Sequence, residues 1–121
     1  MGQGIDKIYI SVLEDYIGKT QKLVDRYGLD KVVSIIPGGA TAQDSIYNVL
    51  KDAEKENDGD SIVLLHDGVR PFVSYDTIKQ NIESVQKYGS AITCTACYET
   101  ILLSKSGEKV DSVPYRKDTF A

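Results

Sequence analysis

A cationic excess is the first thing this sequence lacks. Its 121 residues carry 14 Lys and Arg against 18 Asp and Glu, for a formal net charge of -4. No basic block is present to neutralise a row of phosphates, so nucleic acid is not expected as a partner. Any anionic ligand must instead be met by local backbone donors or by a few placed cations. Long apolar runs are missing too. The longest are fragments such as Ile62-Val63-Leu64-Leu65, far short of the roughly 20 residues that cross a bilayer, so no membrane partner is expected. Met1-Gly2-Gln3-Gly4 is followed by Asp6 and Lys7 rather than by an apolar core, which argues against a secretory leader and for the cytoplasm. Cysteine is scarce, with Cys94 and Cys97 the only two. Their spacing would suit a redox dithiol or half a zinc site. The reading preferred is two small core residues of a strand, because positions three apart in a strand point to opposite faces. A zinc site would also need two further ligands, and the chain has a single histidine.

What is present is an ordinary globular balance, 41% hydrophobic and 26% charged, in one domain's length of chain. Apolar runs alternate with helical patterns. Ile8 to Leu13 is rich in β-formers. Tyr16, Ile17, Leu23, Val24 and Tyr27 then share one helical face, and Gly28 supplies a stop. Lys31 to Ile36 reads as a second strand that ends at Pro37-Gly38-Gly39. Thr41 with Asp44 has the form of a capping box, opening a helix that carries Ile46, Val49, Leu50 and Ala53. Ser61 to His66 is apolar on both faces and predicts a strand in the middle of a parallel sheet. Ser74 is placed to cap a third helix bearing Ile78, Ile82 and Val85, with Gly89 ending it, and Ser90 to Cys97 reads as a fourth strand. The β-α-β-α-β-α-β order predicts an α/β fold, a partial Rossmann-like open parallel sheet with covering helices. Thr100 to Leu103 and Lys109 to Val113 flank Ser104-Lys105-Ser106-Gly107 as a β-hairpin arm. The expected division is an α/β core over about 5–98 and an arm over 99–116. The first strand begins almost at once and the last residues, 117–121, lead into no further element. The chain is therefore expected to be the middle piece of a larger α/β domain.

In open α/β sheets, ligands bind beyond the carboxyl ends of the strands. Two loops qualify. Pro37 to Ser45 combines glycines, which let a backbone approach a ligand closely, with a helix start that offers free N–H groups. It matches neither a P-loop nor a dinucleotide fingerprint. His66-Asp67-Gly68-Val69-Arg70-Pro71 delivers a carboxylate and then a guanidinium to the ligand edge. Such an Asp can hold Mg²⁺ together with phosphate oxygens, and such an Arg can grip phosphate bidentately. An Asp67–Arg70 ion pair that merely closes the loop over a buried His66 fits the same residues. No Ser or Cys nucleophile lies beside His66, which weakens a hydrolase reading.

Gly38-Gly39 with Asp44-Ser45-Ile46, then His66-Asp67-Gly68-Val69-Arg70-Pro71-Phe72, Glu99-Thr100-Ile101 and Val113-Pro114-Tyr115-Arg116 follow one another in an order and spacing that resemble the cytidylyltransferases of sugar and polyol phosphates. The resemblance runs from Ile5 to Arg116 and implies a single partial nucleotidyltransferase domain over 1–121. It also implies coupling of CTP to a sugar or polyol phosphate, with release of pyrophosphate and with Mg²⁺ as cofactor. Phe72 and Pro114 tilt the acceptor toward ribitol 5-phosphate; 2-C-methyl-D-erythritol 4-phosphate is the alternative. By position, Gly38, Gly39, Ser45, Asp67 and Gly68 resemble nucleotide-binding residues, with Gly39 near the base and Gly68 beside the ribose. Asp67 resembles the metal ligand, and Arg70, Thr100 and Arg116 resemble the residues that hold the acceptor, Asp67 and Arg70 being the catalytic pair. The hairpin arm of such enzymes crosses to a second subunit, which implies a homodimer. Ala40 and Thr41-Ala42-Gln43 depart from the family's charged turn. The family's opening Gly-rich loop with its Arg and Lys, and its closing Thr-Pro-Gln region, are not in these 121 residues. The chain alone is accordingly expected to be inactive, and a truncated domain that only binds ligand or dimerises is the competing reading. A small-ligand or protein-interaction module on the same sheet is a third.

Overall fold

Two neighbouring strands organise everything that follows. The structure, a computed structural model, describes residues 4–121; the reading made on Met1, Gly2 and Gln3 lies outside the described residues. Strand β1 (Ile8–Val12) and strand β2 (Val32–Pro37) pair in parallel. Their β-branched and aromatic side chains suit a pleated, half-covered surface. After an irregularity at Ile8/Tyr9, the register runs Tyr9 with Ser34, Ile10 with Ile35, Ser11 with Ile36 and Val12 with Pro37. Pro37 is tolerated because it sits at the strand end, where no ladder N–H is lost from the middle.

A short 3-10 turn, Glu14–Tyr16, leads into helix α1 (Ile17–Tyr27), which makes the crossover between the strands. Val24 is the buried residue of this helix and the one buried hydrophobic side chain among the described residues. The expected stop is there. Gly28 takes the left-handed conformation (φ 58°), and Leu29 N–H reaches back to Val24 O at 3.1 Å. That closure satisfies carbonyls the helix end would otherwise leave open.

Helix α2 (Ala42–Ala53) follows β2. It is fastened to the sheet at its far end. The Ser34 hydroxyl donates to the Asp52 carboxylate, and Lys55 Nζ donates to the other Asp52 oxygen at 2.9 Å. Just beyond, Asn57 Nδ2 donates to Tyr9 Oη at 2.7 Å and Lys7 Nζ to the Glu56 carbonyl at 3.0 Å. Polar contacts therefore stitch the segment after α2 to β1, and the apolar face of α2 is only half covered, with Val49 and Ala53 half-buried.

The chain divides into two units, one ending at Tyr75 and one running from Asp76 to Ala121. Helix α3 (Tyr75–Tyr88) opens the second. Ile78, Ile82 and Val85 lie on its half-buried side, as the periodicity predicts, and Gly89 (φ 84°) ends it. Asn81 Nδ2 donates to Thr93 Oγ1 at 2.7 Å and holds the following segment to the helix.

The strands expected at 61–66 and 90–97 differ from what forms. Residues 61–66 join no ladder among the described residues, and Ile62, Val63 and Leu65 are exposed. In the second segment only the end is paired: Thr95 and Ala121 exchange N–H···O bonds of 2.7 and 2.8 Å, and Cys97 N–H donates to Thr119 O at 3.0 Å. Apolar pattern records fitness for burial between neighbours, whereas a strand exists only when a neighbour supplies its hydrogen bonds. Residues 119–121, expected to lead nowhere, supply that neighbour to 95–97. The cysteines are correspondingly not core residues. Both are free, with Cys94 exposed and Cys97 half-buried. The hairpin turn forms where predicted. Leu103 and Ser112 pair across it, Gly107 takes φ 77°, and Lys105 N–H is held by Asp111 at 2.6 Å. No helix among the described residues is long and apolar enough to cross a membrane.

The Ser34 hydroxyl, and after it Lys55, hold the Asp52 carboxyl below the ordinary aspartate range. A lowered folded pKa stabilises the fold above the unfolded value and is lost as the pH falls through the folded one. Asp52→Asn should therefore lower the urea midpoint at neutral pH. The gap to the unaltered protein should narrow once the pH drops below about 4, the ordinary aspartate value. A gap that stays constant across that range would show that Asp52 is not the linked group.

Candidate functional site

The carboxyl end of β2 delivers the first candidate loop. Gly38 N–H donates to Val12 O at 2.8 Å, so the β1–β2 ladder continues one residue past the strand. The chain then turns sharply into α2. Thr41 caps that helix by both halves of a capping box, Asp44 N–H to Thr41 Oγ1 and Thr41 N–H to an Asp44 carboxylate oxygen, each 3.1 Å. Ser45 sits inside the turn. Its Oγ accepts from Gly39 N–H at 2.9 Å and donates to Thr41 O at 2.9 Å.

This packing explains why glycine occupies position 39. A Cβ there would lie 2.3 Å from Asp44 Cβ and 2.9 Å from the Asp44 carbonyl carbon. Gly38 is less confined; a Cβ there would meet Ser45 Oγ at 3.0 Å and Ser11 Oγ at 3.4 Å. The structure thus brings Gly38, Gly39 and Ser45 together at the strand's carboxyl end, as the sequence predicts. It adds Thr41 and Asp44 as the clamp and Ser11 as a neighbour. The capping-box spacing announced the clamp. Nothing in the local pattern of β1 announced Ser11.

The second loop closes on itself. Val69 N–H donates to Asp67 Oδ1 at 3.2 Å and Arg70 N–H to Asp67 O at 3.0 Å. These bonds form an Asx turn inside a β-turn. Arg70 Nε lies 3.8 Å from Asp67 Oδ2, with the side chains 82% and 59% exposed. An ion pair that open to solvent contributes little to stability, so both groups can exchange partners with a ligand at small cost. Gly68 has no atom within 4 Å of the place its Cβ would take, so the chain's own packing does not require glycine there. His66 is exposed rather than buried, because 61–66 is not enclosed.

Asp67 is a lone carboxylate; the described residues contain no group of three or more His, Cys, Asp or Glu placed to hold a metal. Its donor set suits Mg²⁺, which commonly takes one or two carboxylates and completes its shell with water and substrate phosphates. It does not suit zinc, which wants a closed set of nitrogen and sulfur ligands.

Thr100 and Arg116 belong to the second unit, and both are exposed. Arg116 opens a 3-10 turn, Arg116–Asp118, and donates from Nη1 to the Tyr98 carbonyl at 3.2 Å. That bond carries the start of the arm to its end and fixes the guanidinium near residues 98–100. An open concavity lined by Gly28, Leu29, Asp30 and Lys31 lies at the amino end of β2, opposite the glycine loop. Lys31 is engaged there by the Ile5 carbonyl at 2.6 Å.

Comparison with known proteins bears on what these loops serve. The sequence model of the family described as IspD: 2-C-methyl-D-erythritol 4-phosphate cytidylyltransferase matches residues 1–121. Similar curated proteins include a ribitol-5-phosphate cytidylyltransferase of Vibrio parahaemolyticus, 41% identical over 92% of this chain and 47% of the relative. A ribitol-5-phosphate cytidylyltransferase of Streptococcus agalactiae is 36% identical over 98% of this chain and 49% of its own length. A 2-C-methyl-D-erythritol 4-phosphate cytidylyltransferase of Clostridium botulinum is 37% identical over 98% and 50%. The chain spans about half the length of these relatives.

Gly39→Ala tests the tightest contact in the loop. Its added methyl must displace the Asp44 backbone and is expected to destabilise the fold by about 1–3 kcal/mol, the usual range for overpacking. Urea unfolding of Gly39→Ala and Gly68→Ala checks this, with the second expected to stay within about 0.5 kcal/mol of the unaltered protein.

Proposed function

The chain belongs to the 2-C-methyl-D-erythritol 4-phosphate cytidylyltransferase family, and from that membership we propose that it forms part of an enzyme that transfers a cytidylyl group from CTP to a sugar or polyol phosphate. The observation that carries the reading is the glycine loop. At the carboxyl end of β2, the chain turns so tightly that position 39 excludes any side chain, and it leaves a helix start facing the same edge. Such an edge is where open α/β sheets receive nucleotides.

In the proposed reaction, an acceptor phosphate oxygen attacks the α-phosphorus of CTP in line. The bond to the bridging oxygen breaks, and pyrophosphate leaves. No covalent enzyme intermediate is required, so the protein's task is positioning and charge neutralisation. Gly38, Gly39 and Ser45 are assigned to the nucleotide, with Gly68 bordering its ribose. Asp67 is assigned to the metal and Arg70, Thr100 and Arg116 to the acceptor. Bound Mg²⁺ would neutralise charge on the phosphates. The exposed Asp67 carboxylate, oriented by Val69 N–H, supports its assignment. Ribitol 5-phosphate is the proposed acceptor, on the strength of Phe72, Pro114 and the relatives named for that substrate. 2-C-methyl-D-erythritol 4-phosphate is the alternative. The enzyme is placed in the cytoplasm, and the hairpin arm, formed as an independent turn with its own hydrogen bonds, is proposed to cross between two subunits. The self-closed Asp67–Arg70 loop favours one rival reading, in which the pair is purely structural and the chain binds no nucleotide.

In the full-length protein that contains this chain, Asp67→Asn should lower turnover with CTP on the order of 100-fold or more, the usual cost of losing a group that stabilises transferring charge. Arg116→Ala should chiefly raise KM for the acceptor. Steady-state pyrophosphate release with each acceptor measures both, and near-normal turnover by Asp67→Asn would support the structural reading of the pair. Light scattering of the same protein should give twice the monomer mass. Deleting the turn at Ser104–Gly107 should return it to the monomer.

A further inference from the structure

Two hydroxyls converge on Gly38, and they are not equivalent. The position a Cβ would take at Gly38 is 3.0 Å from Ser45 Oγ and 3.4 Å from Ser11 Oγ. Ser45 is committed inside the loop, accepting from Gly39 N–H and donating its proton to Thr41 O. The Ser11 hydroxyl has no hydrogen-bond partner among the described residues. It is half-buried, and no buried side-chain oxygen among the described residues lacks a partner, so its Oγ is reachable from solvent. Tyr9, on the same face of β1, shows what the alternative looks like: its hydroxyl is taken up by Asn57 at 2.7 Å. A hydroxyl on a strand that is otherwise Ile, Tyr, Ile and Val, left unpaired beside a glycine at the carboxyl edge, offers a polar contact to whatever crosses Gly38.

We propose that Ser11 is a further nucleotide-binding residue, whose hydroxyl hydrogen-bonds the heteroatom edge of the pyrimidine ring while Ser45 clamps the loop. This rests on the cytidylyl-transfer reading above. The ring is favoured over the phosphates because a phosphate group is held by cations or by several convergent N–H donors. Residues 37–45 carry no Lys or Arg, Gly38 N–H is already engaged by Val12 O and Gly39 N–H by Ser45, so the start of α2 is left as the only donor set of the loop. A hydroxyl rotates and can donate or accept, so Ser11 supplies affinity and does not choose between cytosine and uracil. That choice falls to groups of fixed polarity.

The test uses the full-length protein and Mg²⁺-CTP. Removing one hydrogen bond typically weakens binding about fivefold, so Ser11→Ala should raise the dissociation constant for CTP by that amount in calorimetry. The value for UTP should rise by the same factor. KM for the acceptor and kcat should change less than twofold, and Ser11→Thr should restore binding. Gly38→Ala, which places a methyl between the two hydroxyls at a backbone angle that alanine tolerates, should weaken CTP at least tenfold. If Ser11→Ala does not fold, Ser11→Cys, which keeps the side-chain size and replaces the hydroxyl with a weak hydrogen-bonding thiol, decides. Unaltered CTP affinity in Ser11→Ala, or in Ser11→Cys where it alone can be measured, overturns the assignment of Ser11 and leaves cytidylyl transfer standing. Failure of the unaltered protein to bind Mg²⁺-CTP overturns both.

Discussion

The bond from Gly38 N–H to Val12 O is the rung on which the rest depends. It prolongs the parallel ladder past Pro37, the one residue of β2 that can donate nothing. It also fixes where the turn into α2 begins. From that rung the Gly39 backbone lies against Asp44, Asp44 closes the cap with Thr41, and Ser45 ties Gly39 to Thr41. A loop with so many internal bonds would meet the proposed ligand already shaped, and the entropy of ordering it would not be charged to binding. At the other end of the helix, Asp52 is gripped from β2 and from Lys55. Helix α2 is thus held at both termini by polar contacts, which compensates for an apolar face that is only half covered.

The two candidate loops are built differently. The glycine loop is rigid because its side chains and backbone satisfy one another. The 67–70 loop is held by two backbone donors to Asp67, and its charged groups face water. A carboxylate oriented by backbone but left solvated can take up a cation without first losing a buried partner, where the desolvation cost would be severe. Such a division suits the proposed site, in which one loop would meet a neutral ring and the other phosphates and metal.

Local chemistry was legible in the sequence and pairing was not. Gly28, the Thr41–Asp44 cap, the faces of α1 and α3 and the turn at Ser104–Gly107 could be read because each depends on residues within a few positions of one another. Ser61 to His66 and Ser90 to Cys97 misled because strand formation needs a partner that local pattern does not name. For the same reason Cys94, expected in an interior, is found exposed, and His66 lacks the burial that the purely structural reading of its loop supposed. Of the candidate site, the glycine cluster and the Asp67–Arg70 pair were visible as motifs. Ser11 was not, because its meaning comes only from its approach to Gly38 across the sheet edge.

The open run Ile62-Val63-Leu64-Leu65 has a consequence for how the isolated chain behaves in solution. It combines high β-propensity with no charge, and its backbone donors join no ladder among the described residues, which is the composition that seeds edge-to-edge self-association. Asp60 and Asp67 stand at its two ends. Stacking copies of this run would bring those carboxylates into rows of like charge, so they act as gatekeepers. Their protection is electrostatic and is therefore screened by salt. One of these two gatekeepers, Asp67, is the same aspartate that closes the second loop.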